Sequence, residues 1–111
     1  GTSVLNADDP NVAEIAQYSG GLVTLYSLDS NSPAIVEHLE AGKRAVLVEN
    51  GKLVFAEGSV KTSLCDLAEV SITENGSNQE QIRHVMAAAG AAWALDFPLD
   101  LIQTGLEAFK H

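Results

Sequence analysis

The chain has 111 residues, 46% of them apolar, which is the length of one domain with one core and excludes global disorder. Six Lys and Arg against fifteen Asp and Glu leave a net charge of −9, excluding the basic patch that nucleic acid or an anionic membrane requires. Cys65 is the single cysteine, so no intrachain disulfide or cysteine zinc site can form.

Ser3-Val4-Leu5 reads as a short apolar strand running into Asn6-Ala7-Asp8-Asp9-Pro10. Asp9 is a good N-cap and Pro10 a good first helical residue, because proline lacks an N–H that would find no partner there. Val12, Ile15 and Ala16 recur at helical spacing until Gly20-Gly21 stops them. Leu22 to Leu28 predicts a buried strand. Ser32-Pro33 repeats the cap-plus-proline signal before a helix carrying Ile35, Val36 and Leu39, which Gly42 ends. Ala45–Val48 and Leu53–Ala56 flank Asn50-Gly51, two residues that tolerate positive φ, so a tight type I′ hairpin is predicted. Weaker strands are predicted near Val60–Leu64 and Val70–Thr73. Ser77 and Glu80 have capping-box spacing, and the helix behind them runs from Gln81 to about Leu95. Its Ala87–Ala94 stretch is nearly all small, with Trp93 the exception, which predicts close packing at the centre of the domain. Pro98 opens a last helix with Leu99, Ile102, Leu106 and Phe109 on one face. The order β-α-β-α, hairpin, α-α describes an α/β fold: a mixed sheet with a β-hairpin and flanking helices.

The candidate site residues each have an ordinary alternative. Asp8 and Asp9 stand at a strand end, where open α/β sheets bind ligands; equally, Asp9 caps the helix and Asp8 is solvated. His84 is a candidate nucleotide contact, or a histidine that is merely packed or exposed. His38, His111 and Cys65 lack metal-ligand spacing, and Cys65 has no basic neighbour to activate it. No G-x-x-x-x-G-K-[ST] and no G-x-S-x-G occurs. Catalysis by this chain alone has no visible machinery. No apolar run reaches about 18 residues and no charged-then-apolar leader opens the chain, so a soluble, cytoplasmic protein with no membrane or nucleic-acid partner is expected.

Val4-Leu5-Asn6-Ala7-Asp8-Asp9-Pro10, followed by Ser27-Leu28-Asp29, resembles the central domain of the Mur ligase superfamily, and in particular the Mur-like portion of the cyanophycin synthetase family. Gly42-Lys43-Arg44-Ala45-Val46 entering the hairpin, Asp66-Leu67-Ala68-Glu69-Val70 with Ile72-Thr73, the Ala-rich helix ending in Ala94-Leu95, and Leu101-Ile102-Gln103-Thr104-Gly105-Leu106 before Phe109 extend the likeness in continuous order.

The resemblance implies an ATP-dependent ligase that activates a carboxylate as an acyl phosphate and couples it to an amine. In that family the product is an aspartate backbone bearing arginine. ATP and Mg²⁺ are the implied cofactors of the intact parent, with none expected for the isolated chain. The implied partners are the rest of the parent polypeptide and further copies in a homo-oligomer. Residues 1–111 would form a single domain, the C-terminal part of a Mur ligase-like ATP-binding central domain lacking its P-loop. Asn6, Asp8 and Asp9 would face the nucleotide and Mg²⁺, with Gln81 and His84 on the adenine side. The family pattern on the Ala-rich helix is Phe, then Asn or Gln, then Asn two residues on; here Glu80, Gln81, Ile82, Arg83 and His84 stand there, and only Gln81 fits. Asp96 occupies the place of a helix-ending glycine. Two expectations follow: a fragment of an amide-bond-forming ligase that is not catalytic alone, or a noncatalytic α/β interaction or assembly module whose nucleotide site has decayed.

Overall fold

A computed structural model describes residues 2–11, 22–70 and 78–107. Five strands form one sheet in sequence order: β1 (Thr2–Asn6), β2 (Leu22–Ser27), β3 (Arg44–Glu49), β4 (Lys52–Glu57) and β5 (Val60–Asp66). β1, β2 and β3 run parallel, and β4 and β5 return antiparallel. The mixed α/β sheet expected from the sequence is thus present. The hairpin is the predicted one: Glu49 pairs with Lys52 across Asn50 and Gly51, whose φ values of 54° and 74° are those of a type I′ turn.

Three described helices cover both faces. α1 (Pro33–Glu40) packs against Val23, Leu25, Ala45 and Leu47 through the fully buried Ile35. On the opposite face, α2 (Gln79–Ala94) and α3 (Leu99–Glu107) enclose Val46, Leu53, Phe55 and Leu64 together with Leu67 and Val70. The alternation of the strands accounts for this division, since neighbouring residues point to opposite faces.

Helix ends follow local chemistry. Gly42 at φ 79° closes α1, with its N–H on the Leu39 carbonyl and the Lys43 N–H on that of His38, a Schellman arrangement. α2 ends the same way without glycine: Asp96 takes φ 64°, its N–H reaching Trp93 and the Phe97 N–H reaching Ala92. The glycine that the resemblance expects there is replaced by a residue held in the same left-handed conformation.

Several boundaries differ from expectation. The N-cap of α2 is Asn78, whose Oδ1 accepts the Gln81 N–H at 3.1 Å. The helix thus starts at Gln79, two residues before the expected Gln81; Ser77, the residue of the expected capping box, lies outside the described residues. Ser32 holds the cap position of α1 without a side-chain hydrogen bond, so Pro33 carries that start. β5 runs on to Asp66, as its pairing with β4 continues past an irregularity between Leu53 and Val54. The predicted helix through Val12, Ile15 and Ala16, the strand residues Ile72 and Thr73, and Phe109 lie outside the described residues.

The direction of α2 matters most for function. A Cβ at Gly90 would lie 3.1 Å from Val4 Cγ1 and 3.4 Å from Val46 Cγ2, so here the helix backbone sits directly over the middle of the parallel strands. At its other end the Trp93 carbonyl accepts from Arg44 Nη1 at 3.2 Å, at the start of β3. α2 therefore runs against the parallel strands and brings its N-terminus to their carboxyl ends.

Candidate functional site

The carboxyl ends of β1 and β2 are joined by a ring of polar contacts. Ala7 N–H bonds the Tyr26 carbonyl at 2.8 Å, continuing the parallel pairing by one step. The chain then turns: Asn6 Oδ1 accepts the Asp8 N–H at 2.9 Å, and Asp9 Oδ1 accepts the Asn11 N–H at 3.0 Å. Both are local side-chain-to-backbone bonds two residues on, the habit that suits Asn and Asp to turns and helix starts. Asp8 reaches further. Its Oδ1 accepts the Ser27 hydroxyl and its Oδ2 accepts the Leu28 N–H at 3.1 Å. Ser27 Oγ accepts the Asp29 N–H at 2.9 Å, and Asp29 Oδ1 accepts the Asn31 N–H at 2.9 Å.

Ser27 is fully buried, whereas Asp8 and Asp9 are exposed. The Asp8 carboxylate thus acts as a two-point clasp between the turn after β1 and the turn after β2. The sequence names Ser27 only as the start of the Ser27-Leu28-Asp29 run, with no role; its place at the last position of a buried strand is the signal for one, because a buried hydroxyl needs a partner.

Gln81 and His84 share an outer face of α2, with His84 Nδ1 3.3 Å from Gln81 Oε1. Gln81 precedes Gly90 by nine residues, about 13 Å of helix, so the pair stands at the same end of the sheet as Asn6, Asp8 and Asp9. Helical rotation carries both side chains well around from the line on which Gly90 meets the sheet; His84 is exposed and Gln81 half-buried. The residue on that line is Arg83, seven positions before Gly90 and within about 20° of it. Oxygen donors of this kind suit Mg²⁺, but among the described residues no three His, Cys, Asp or Glu side chains gather as a metal site.

The opposite end of the sheet is built differently. Arg44 stacks over Trp93, 4.6 Å from its centroid, and Trp93 stacks on Phe55 at 4.4 Å and 16°. Arg44 also meets Glu57 at 3.4 Å. Beside this stack lies a cleft of about 270 Å³ lined by Leu22, Thr24, Lys43, Glu57 and Asp96. Nearby, His38 Nε2 lies 2.7 Å from the Val23 carbonyl. Burial pushes its pKa down; the Val23 and Arg44 backbone bonds oppose this, and the Lys43 charge adds to it.

No protein-family profile matches the chain. Over 110 residues it is 31% identical to a cyanophycin synthetase of Geminocystis herdmanii and 28% to one of Nostoc sp.. A Crocosphaera subtropica cyanophycin synthetase is 31% identical over the same length. Each alignment takes in 99% of this chain but only 12–13% of the relative. The chain is therefore cyanophycin synthetase-like from one end of the alignment to the other, while spanning about an eighth of such a protein. Among the described residues no helix is long and apolar enough to cross a membrane.

Proposed function

We propose that this chain is the C-terminal part of a Mur ligase-like, ATP-binding central domain within an ATP-dependent amide-bond-forming ligase of the cyanophycin synthetase kind. The observation that carries the reading is the match over 110 residues, 99% of the chain, to relatives named for that activity. It is supported by the convergence of the Asn6–Asp9 turn and the α2 N-terminus on one end of the sheet, the end at which open α/β sheets bind ligands.

In the intact ligase, ATP with Mg²⁺ would supply the phosphoryl group that activates a carboxylate. This chain's residues would shape one wall. Asn6 and Asp9 fix the turn after β1. Asp8, clasped by Ser27 and the Leu28 N–H, holds that turn in register with the next strand. Remaining carboxylate lone pairs would meet the cation shared with the phosphates, and Gln81 and His84 would flank the adenine. Phosphoryl transfer depends chiefly on positioning and charge stabilisation, and no phosphate cradle occurs in the 111 residues, so the isolated chain is expected to be inactive. The rest of the parent polypeptide and a homo-oligomer are the proposed partners, and the cytoplasm the proposed location.

A second reading, a noncatalytic interaction module with a decayed nucleotide site, is favoured by one observation: Asp8 spends both carboxylate oxygens inside the protein. The upstream reading frame separates the two. An in-frame P-loop, with ATP-dependent amide formation by the full-length product, is the expected result. A start codon near Thr2 with no P-loop would sink the ligase and leave the module.

A further inference from the structure

We infer that the amino end of the parallel strands is a docking surface for another domain of the parent polypeptide; the inference rests on the reading just proposed only in taking this chain as part of a longer one. Three observations carry it. The first is apolar exposure gathered at one end. Leu22 opens β2 and is 75% exposed, Val60 opens β5 at 67%, Leu95 caps α2 at 72%, and Phe97 follows at 47%. These are four of the six large apolar side chains exposed among the described residues. The second is that they share a surface. Thr24, Arg44, Glu57 and Val60 are direct partners from β2 across to β5, so they form one row on one face, about 14 Å long. Arg44 in that row stacks over Trp93, so the face is the one α2 covers. Leu22, two residues before Thr24, projects to the same side. The C-terminal turn of α2 ends over Arg44 and leaves Leu22 and Val60 open on either flank. Leu22, Glu57, Ala94 and Asp96 line one cleft there, with Leu95 and Phe97 the chain neighbours of Asp96.

The third observation is electrostatic. The chain carries −9 overall, yet the cleft within this surface is lined by two cations, Lys43 and Arg44, and two carboxylates, Glu57 and Asp96, whose charges cancel. Apolar side chains gathered with a balanced polar rim mark an interaction surface. Length and charge together identify the occupant. The match takes in 99% of this chain but only 12–13% of each relative, so about seven-eighths of a protein of that kind lies outside these residues. A neighbouring domain on the same chain meets the surface at high effective concentration. A second copy would instead bring another −9 against the first. Interfaces between domains of one chain are typically mixed, apolar at the centre and polar around it, which is the composition found here.

The test compares hydroxyl-radical footprinting of the 111-residue chain with that of the full-length protein, read by mass spectrometry, the radical dose matched with added free phenylalanine. The expected result is ready oxidation of Leu22, Leu95 and Phe97 in the isolated chain and oxidation about fivefold slower in the full-length protein, as burial in an interface core requires. Leu22→Lys combined with Leu95→Lys changes two exposed positions, so the urea midpoint of the isolated chain should not move. In the full-length protein the same pair should return Phe97 toward its rate in the isolated chain. Equal rates in the two wild-type proteins would overturn the docking surface and leave the ligase reading standing, since that answers to ATP-dependent amide formation. Slow oxidation in a full-length protein without that activity would keep the docking surface and sink the ligase. Sedimentation addresses the other occupant. The isolated chain should be a monomer; a dimer in which Phe97 is already slow to oxidise would assign the surface to a second copy and overturn the inference, as would a full-length double variant that falls from oligomer to monomer.

Discussion

The two ends of the sheet are held by different kinds of bond. At the carboxyl end, Asn6, Asp8, Asp9, Ser27 and Asp29 satisfy backbone amides through side-chain oxygens, mostly within two residues of sequence. At the amino end, a guanidinium, an indole and a phenyl ring are stacked in series, and Arg44 bonds a carbonyl 49 residues away. The first arrangement leaves exposed acceptors at the rim; the second fills space and locks α2 to β3. The contrast separates a rim of exposed acceptors from a packed stack, and a cleft beside Lys43 and Asp96 lies at the packed end.

Breaking the cohesive end should have the largest effect. Trp93→Ala removes the stack on Phe55 and the surface on which Arg44 lies, and should cost about 3–5 kcal/mol in urea unfolding. Amide shifts at Asn6–Asp9 should change little while the variant remains folded. Gly90→Val tests the close approach that joins the two ends. The new side chain would meet Val4 and Val46, both β-branched and slow to yield, so a loss of about 1–3 kcal/mol is expected. Unchanged stability would mean that α2 does not lie on the strands as described.

Asp96→Gly should act in the opposite direction. Glycine adopts φ 64° without the Cβ penalty, a gain of about 0.5–1 kcal/mol, and the exposed contact of Asp96 with Arg44 at 3.9 Å is worth little. A higher melting temperature is the expected reading. The smallest effect concerns His38. Its folded pKa lies below the ordinary 6.5, so the unfolded chain binds more protons and stability rises with pH. That contribution is complete above about 6.5 and is lost as pH falls through the folded value. The urea midpoint of wild type should therefore fall more between pH 7.5 and pH 5 than that of His38→Gln.

The same division explains what could be read from sequence. Asn50-Gly51, Gly42 and Pro33 announce themselves because their conformational preferences act within a turn. The Asn6–Asp9 turn is legible for the same reason, down to the cap that Asp9 provides. The sequence places the start of α2 two residues late because Asn78, the cap that the structure shows, stands beside another residue with capping chemistry. The role of Ser27 was silent: a serine ending a strand acquires a partner only when β1 and β2 are placed together. The Arg44–Trp93–Phe55 stack was hidden likewise, each member reading as an ordinary strand or helix residue.

The central claim is that the nucleotide end is the carboxyl end of the parallel strands. Amide NMR of the chain titrated with Mg-ATP tests it directly. The account predicts weak binding, with a dissociation constant above about 10 μM for want of a phosphate cradle, and perturbations confined to Asn6–Asp9, Leu28, Asp29 and the first turns of α2. Perturbations centred instead on Leu22, Lys43 and Asp96 would contradict it.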